Sequence, residues 1–145
     1  MSNNNVKNSD GAGPQKNCIF CKIATKEIPS SIVYEDDKFF AFLDINPVVK
    51  GHILLIPKEH HVWMHEVPDE LLAESFITTK KLMNQMRKGL GCDYVQIFVV
   101  GKDVPHFHIH LMPRWLDDNL PLFKTISYEN DDEKTNITIK IKNAQ

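Results

Sequence analysis

The residues best suited to chemistry lie in one run, Pro105-His106-Phe107-His108-Ile109-His110-Leu111-Met112-Pro113-Arg114. Three of the chain's seven histidines occur here at every second position, alternating with Phe107, Ile109 and Leu111. In an extended strand residues i, i+2 and i+4 share one face. The spacing therefore predicts an apolar set lying on a core and three imidazoles lining a cleft. Same-face neighbours are about 6.6 Å apart at the backbone, close enough for one imidazole to orient or polarise the next, or for two to converge on a metal. Buried polar rings need partners, so such a run points to function rather than to an incidental half-buried strand. A second set of candidate ligands is Cys18-x-x-Cys21. Three cysteines, an odd count, do not make a disulfide framework, and in a reducing compartment this pair reads as a metal pair or a redox motif.

The elements that must position these groups follow from local pattern. Residues Met1 to about Lys16, rich in Asn, Ser and Gly, are expected to be a disordered tail. Cys18 to Lys26 predicts a short helix, stopped by Ile28-Pro29 and two serines. Ile32 to Glu35 and Phe39 to Leu43 predict two strands across a turn-prone Glu35-Asp36-Asp37-Lys38. Gly51 introduces a third, His52 to Ile56, ended by Pro57. From Pro68 to Leu90 the pattern predicts one long amphipathic helix, with Pro68 at its first position and Asp69 and Glu70 favoured by the dipole. Leu72, Phe76, Met83, Met86 and Leu90 form its core-facing stripe, and Gly89 and Gly91 its stop. Tyr94 to Val100 predicts a fourth strand, and Gly101 turns the chain into the histidine run. Leu116 to Asn130 reads as loop. In Asp131 to Gln145 the alternation of Ile137, Ile139 and Ile141 suits a strand, but the acidic start and basic end tip the expectation to a helix. The sum is an α+β domain, an antiparallel sheet with helices covering a face.

Composition narrows the function. The chain has 145 residues, 42% hydrophobic and 25% charged, as expected of one ordinary globular domain. A formal charge of −2 argues against a sequence-independent nucleic-acid binder, which is usually basic. No apolar run approaches the roughly 20 residues of a membrane span, and the polar N-terminus lacks the apolar core of a secretory signal. A cytoplasmic location is the default expectation.

Taken with its context, the histidine run resembles the signature of the histidine triad (HIT) family of nucleotide-binding hydrolases and transferases. The family pattern His-φ-His-φ-His-φ-φ, where φ is apolar, is matched at every position from His106 to Met112. Cys18-Ile19-Phe20-Cys21-Lys22-Ile23, followed by Ile28-Pro29, resembles the family's N-terminal segment. Phe42-Leu43-Asp44-Ile45-Asn46-Pro47 resembles its ribose-side loop, and Gly51 to His60 its third strand. The resemblance covers about residues 17 to 115, which it marks as a HIT domain, with 116 to 145 as a C-terminal extension of the same domain. It implies a five-stranded antiparallel sheet with one long helix and short flanking helices, and a homodimer formed through the Pro68 to Leu90 helix and the Tyr94 to Val100 strand.

The resemblance also implies roles. His108 would attack the α-phosphate of a nucleotide, with His110 hydrogen-bonding near it and fixing its tautomer. His52 and His106 would complete the cluster around the phosphate. Asp44 would hold the ribose hydroxyls, beside an apolar floor and wall from Phe42, Leu43 and Ile45. Zinc-binding members use residues that map to Cys18, Cys21, His60 and His106, a Cys2His2 set suited to a closed, structural zinc site. His61, next in sequence, is expected to point elsewhere. The chain departs from the pattern before the triad, with Val99 at a usual asparagine position and Asp103 at a usual hydroxyl position. An acidic group beside phosphate calls for a neutralising partner, for which Lys102 and Arg114 are candidates. Imidazole is neutral and nucleophilic at cytoplasmic pH, and a neighbouring imidazole could be charged at modest cost to stabilise the transition state or protonate the leaving group. Two other functions stay open: a metal-dependent hydrolase using His106, His108 and His110 as ligands, and a nucleotide-binding protein without turnover.

Overall fold

The computed structural model describes residues 13–121 and 123–144. Most of the expected N-terminal tail falls outside them. The elements follow one another as helix α1 (Ile19–Ala24), strands β1 (Ile32–Glu35), β2 (Phe39–Leu43) and β3 (Ile53–Pro57), a 3-10 turn (Met64–Glu66), helix α2 (Asp69–Leu90), strands β4 (Tyr94–Phe98) and β5 (Ile109–Arg114), and helix α3 (Asp131–Asn143). The five strands form one sheet in the order β1-β2-β3-β5-β4, antiparallel at every pairing. The architecture is α+β, as the sequence suggests.

Period-two alternation divides the sheet between two cores. Phe39, Ala41, Ile53, Leu55, Ile109 and Leu111 join Leu82 and Met86 of α2 in the larger one. The intervening Phe40, Phe42, Leu54 and Ile56 point the other way and pack with Cys18, Phe20, Cys21 and Ile23 of the α1 segment. β2 and β3 are thus apolar on both faces, which is why Phe39-Phe40-Ala41-Phe42 and Ile53-Leu54-Leu55-Ile56 read as unbroken hydrophobic runs. Gly91 ends α2 at φ +65 and donates its N–H to the Arg87 carbonyl, a left-handed position that costs a glycine little. Pro68 stands at the N-cap, one residue ahead of its expected place. Among the described residues no helix is long and apolar enough to cross a membrane.

One expectation needs correction. The histidine run does not begin as a strand: β5 starts at Ile109, so only His110 of the three lies within it. The reason is Pro57. The β3–β5 register pairs Leu55 with Ile109 and Leu54 with His110, and its continuation would set Pro57 against Phe107. Proline has no N–H to give a ladder, and its carbonyl is taken by the His106 ring. Phe107 instead donates its N–H to the His61 carbonyl, 2.5 Å away. The alternation survives this break, since Phe107 joins the α2-side core with Ile109 and Leu111.

At the far end α3 forms where the sequence leaned to a helix. The Asn130 side chain caps it by accepting from the Glu133 N–H, and none of its residues is buried.

Candidate functional site

Four potential metal donors meet where α1 abuts the histidine run. Cys18 and Cys21 are buried, one at the N-cap of α1 and one in its first turn. Cys18 Sγ lies 3.4 Å from His106 Nδ1, and Cys21 Sγ lies 3.5 Å from the same nitrogen and 3.3 Å from His60 Nδ1. In a tetrahedral zinc site, sulfur and nitrogen ligands are separated by about 3.5 Å. All four donor atoms lie within 4.8 Å of one another, so a small cation would need only slight contraction. The ring of His106 is oriented for ligation, because its Nε2–H donates to the Pro57 carbonyl at 2.9 Å and leaves Nδ1 as a lone pair. Burial pushes His106 down to about 4 and the Cys21 thiol up to about 11. The imidazole is therefore ready to ligate at neutral pH, whereas the thiol needs a cation to displace its proton. His61 points away, as expected, and pairs with Glu59 at 2.8 Å.

A second cluster lies across the sheet face, and main-chain groups set its tautomers. The Val48 N–H donates to His52 Nδ1 at 3.2 Å, so His52 carries its proton on Nε2. That proton is directed at His110 Nδ1, 2.9 Å away, which leaves His110 with an Nε2–H donor of its own. His108 is the complement. Its Nδ1 lies 2.6 Å from the His106 carbonyl, and a carbonyl can only accept, so Nδ1 is protonated and Nε2 is a lone pair. The His108 and His110 rings sit 4.8 Å apart, centroid to centroid. One presents a nucleophilic nitrogen and the other an N–H donor. The expectation that His110 fixes the His108 tautomer is thus corrected: the main chain of His106 does so, and His110 pairs with His52.

Two aromatic rings hold this pair, and neither was singled out by sequence reasoning. Phe98 stacks on His110 at 4.1 Å with 10° between planes, because the β4–β5 register sets Phe98 opposite His110. Phe20 meets His108 edge-on at 5.0 Å. Only a register between β4 and β5, or a docking site for α1, would have revealed them.

The electrostatics differ from the simplest expectation. Burial lowers His52, His108 and His110, the last to about 4, so a neighbouring imidazole is not charged at modest cost. Two carboxylates oppose that shift at both His108 and His110, namely Asp44 and Asp103. Asp44 Oδ2 stands 3.8 Å from His52 Nδ1, while its Oδ1 accepts from the Asn46 N–H at 2.9 Å. Phe42 is buried against Phe20 and Phe40, beneath the site, whereas Leu43 and Ile45 are exposed beside Asp44, Ile45 at 88%. Asp103 is exposed in the turn before the histidines. Arg114 does not neutralise it. Its guanidinium is held by Asp118 and Gln96 at the other end of β5.

Comparisons with known proteins find similar chains and a similar fold. An uncharacterized HIT-like protein of Methanocaldococcus jannaschii is 44% identical over 106 residues, covering 70% of this chain and 81% of that protein. The adenosine 5′-monophosphoramidase of Saccharomyces cerevisiae is 38% identical over 102 residues, covering 67% of this chain and 62% of that enzyme. A zinc-bound histidine triad family protein from Mycobacterium smegmatis superposes with a TM-score of 0.70 at 28% identity, over 89% of this chain and 98% of that one. The HIT domain itself is matched over residues 25–115, the span that carries His52, His60 and all three histidines of the run, and the chain belongs to the HIT family.

Proposed function

We propose that this protein is a nucleotide hydrolase or transferase acting at the α-phosphate of a purine nucleotide derivative, a phosphoramidate or a dinucleotide, through a nucleotidyl-His108 intermediate. The observation that carries this reading is the pair of tautomers: His108 offers a lone pair on Nε2 beside the Nε2–H of His110. The Nε2 lone pair attacks the α-phosphorus, the bond from phosphorus to the leaving group breaks, and the leaving group departs with that electron pair. The His110 Nε2–H hydrogen-bonds a phosphoryl oxygen or the leaving atom as charge develops there. A water oxygen then forms a bond to phosphorus, the bond from phosphorus to Nε2 breaks, and the pair returns to the imidazole. The water's surplus proton passes to solvent. Asp44 binds the ribose hydroxyls next to the exposed apolar surface of Leu43 and Ile45. The activity named for the yeast relative supports this class of reaction.

The four-donor site is read as a structural zinc site of Cys18, Cys21, His60 and His106, in keeping with the chemistry of its donors and with the zinc-bound relative. A catalytic metal held by the histidine run is disfavoured by geometry. His106 Nδ1 turns to the cysteines and His110 spends its Nδ1 lone pair on the His52 proton, so His108 Nε2 is the one lone pair the three rings leave open. The test is a screen of adenosine and guanosine phosphoramidates and dinucleotides for release of nucleoside monophosphate. Release is expected, and binding without release from any of them would favour the non-catalytic reading.

We infer a homodimer built on α2 and β4. β4 is an edge strand whose Tyr94 and Ile97 are exposed, as are Ile77 and Leu90 of α2, and an uncovered apolar edge invites pairing. Sedimentation equilibrium at micromolar concentration is expected to give twice the chain mass, and the monomer mass would refute it.

A further inference from the structure

The proposed chemistry leaves one group near the nucleophile without a role, the carboxylate of Asp103. Its position is fixed rather than incidental. Gly101 opens the turn at φ +73, and a Cβ there would come within 3.2 Å of the Trp63 ring. Three residues on, Val104 packs against the α1-side core and accepts a 2.8 Å hydrogen bond from the His106 N–H. Between these two anchors Lys102 and Asp103 stand exposed at the rim, so the turn cannot swing away without breaking a packed contact at each end.

The course of the displacement makes this rim matter. His108 is 3% exposed, and an in-line attack drives the leaving group away from the nucleophile, hence from the buried ring toward the open side. Three charged groups flank it, the carboxylates of Asp44 and Asp103 and the exposed Lys102 beside them, so the carboxylates outnumber the ammonium. Asp44 and Asp103 act on both His108 and His110. The one strand-borne arginine of the region, Arg114, is committed to Asp118. A polyphosphate leaving group would carry negative charge past this rim, whereas an amine bearing a second, protonated nitrogen would carry positive charge.

We propose that Asp103 is a specificity-determining residue that makes this site favour nucleoside phosphoramidates with cationic leaving groups over isosteric neutral amines and over dinucleoside polyphosphates. The proposal rests on the hydrolase reading above and adds the charge of the leaving group to it. The bonds made and broken are unchanged: phosphorus exchanges nitrogen for His108 Nε2 and then Nε2 for water oxygen. The amine nitrogen keeps the electron pair of the broken bond and takes up one proton from solvent.

The experiment compares three probes at pH 7: the adenosine 5′-phosphoramidates of ethylenediamine and of propylamine, which differ by a protonated nitrogen in place of a methyl group, and diadenosine tetraphosphate. The wild-type protein is expected to show kcat/KM about tenfold higher for the ethylenediamine compound than for the propylamine compound. Asp103→Asn keeps the shape of the side chain and should bring that ratio close to unity. Asp103→Lys should invert it and raise the relative rate on the tetraphosphate. Added salt should compress the wild-type ratio and leave that of Asp103→Asn unchanged. Circular dichroism melts check that the variants fold. If all probes are hydrolysed and the ratio is the same with and without Asp103, the specificity proposal is wrong while the hydrolase reading stands. If the wild-type protein hydrolyses none of the probes and none of the compounds in the wider screen, the hydrolase reading falls and the proposal with it.

Discussion

Replacing His108 by alanine is expected to lower turnover by about four orders of magnitude or more, the scale of losing a covalent nucleophile, while nucleotide binding survives. The separation follows from the architecture. The ribose and base would rest on Leu43 at the end of β2 and on Asp44 and Ile45 just after it, whereas His108 enters from the stretch ahead of β5. Calorimetric titration with a nucleoside monophosphate checks binding, and single-turnover kinetics check the chemistry. His108→Gly with added imidazole should recover part of the rate, because a small nucleophile can occupy the vacated space. Brief exposure of wild-type protein to α-labelled substrate and an alkaline quench should leave label on the peptide containing His108. Stereochemistry gives the sharper test. Two successive displacements produce net retention at a chiral α-phosphorus, and an inverted product would eliminate the nucleotidyl-histidine.

Loss of the metal is expected to be the largest change in stability. Freshly purified protein should contain one zinc per chain, and Cys21→Ser should release it and lower the melting temperature by roughly 10 °C or more, as structural zinc contributes several kcal/mol to a small fold. The site ties α1 to the histidine run and to the segment after β3 through four side chains, so its loss frees three separate stretches at once. Retention of the metal depends on pH in a stated direction. The Cys21 thiol is pushed up to about 11 in the absence of a cation, so protons compete for the ligand and acidification should speed release to a chelator. The metal-free protein should still hydrolyse substrate at the full rate. Protein purified without zinc, with both thiols freely titratable, would contradict the site.

The sequence disclosed whatever depends on spacing along the chain. Period-two alternation marked the two faces of the histidine run, apolar runs bounded by turn residues marked the other strands, the long amphipathic stripe marked α2, and the acidic start and basic end of residues 131–145 favoured α3. The four potential metal donors and the histidine set were legible because family resemblance preserves residue types at fixed offsets. Contacts made by register and by main chain were hidden. Nothing in Phe98 announces that it stacks on His110, since that depends on which residue of β4 faces which of β5. The partners that set the tautomers are the Val48 N–H and the His106 carbonyl, groups every residue possesses. Arg114 looked available to neutralise Asp103, but its distance along β5 and its hold on Asp118 are properties of the fold. The break in the histidine strand could have been foreseen from Pro57 only by someone who already knew the β3–β5 pairing.

The double service of His106 has a consequence for how such a site can drift in evolution. Its imidazole faces the cysteines, while its carbonyl holds the proton of His108. Any amino acid at position 106 would supply the carbonyl, but only a ligand residue supplies the imidazole. Cys18, Cys21 and His60 have no hydrogen bond to His108. A lineage could therefore shed the metal by substitutions at those three positions, filling the space with apolar side chains, and inherit the tautomer of its nucleophile unaltered. The reverse path is harder, because the His108 Nδ1 proton is held by that main-chain carbonyl. On the proposed reading, selection would act on position 106 through its side chain for stability and through its backbone for chemistry, and the two constraints could be lifted separately.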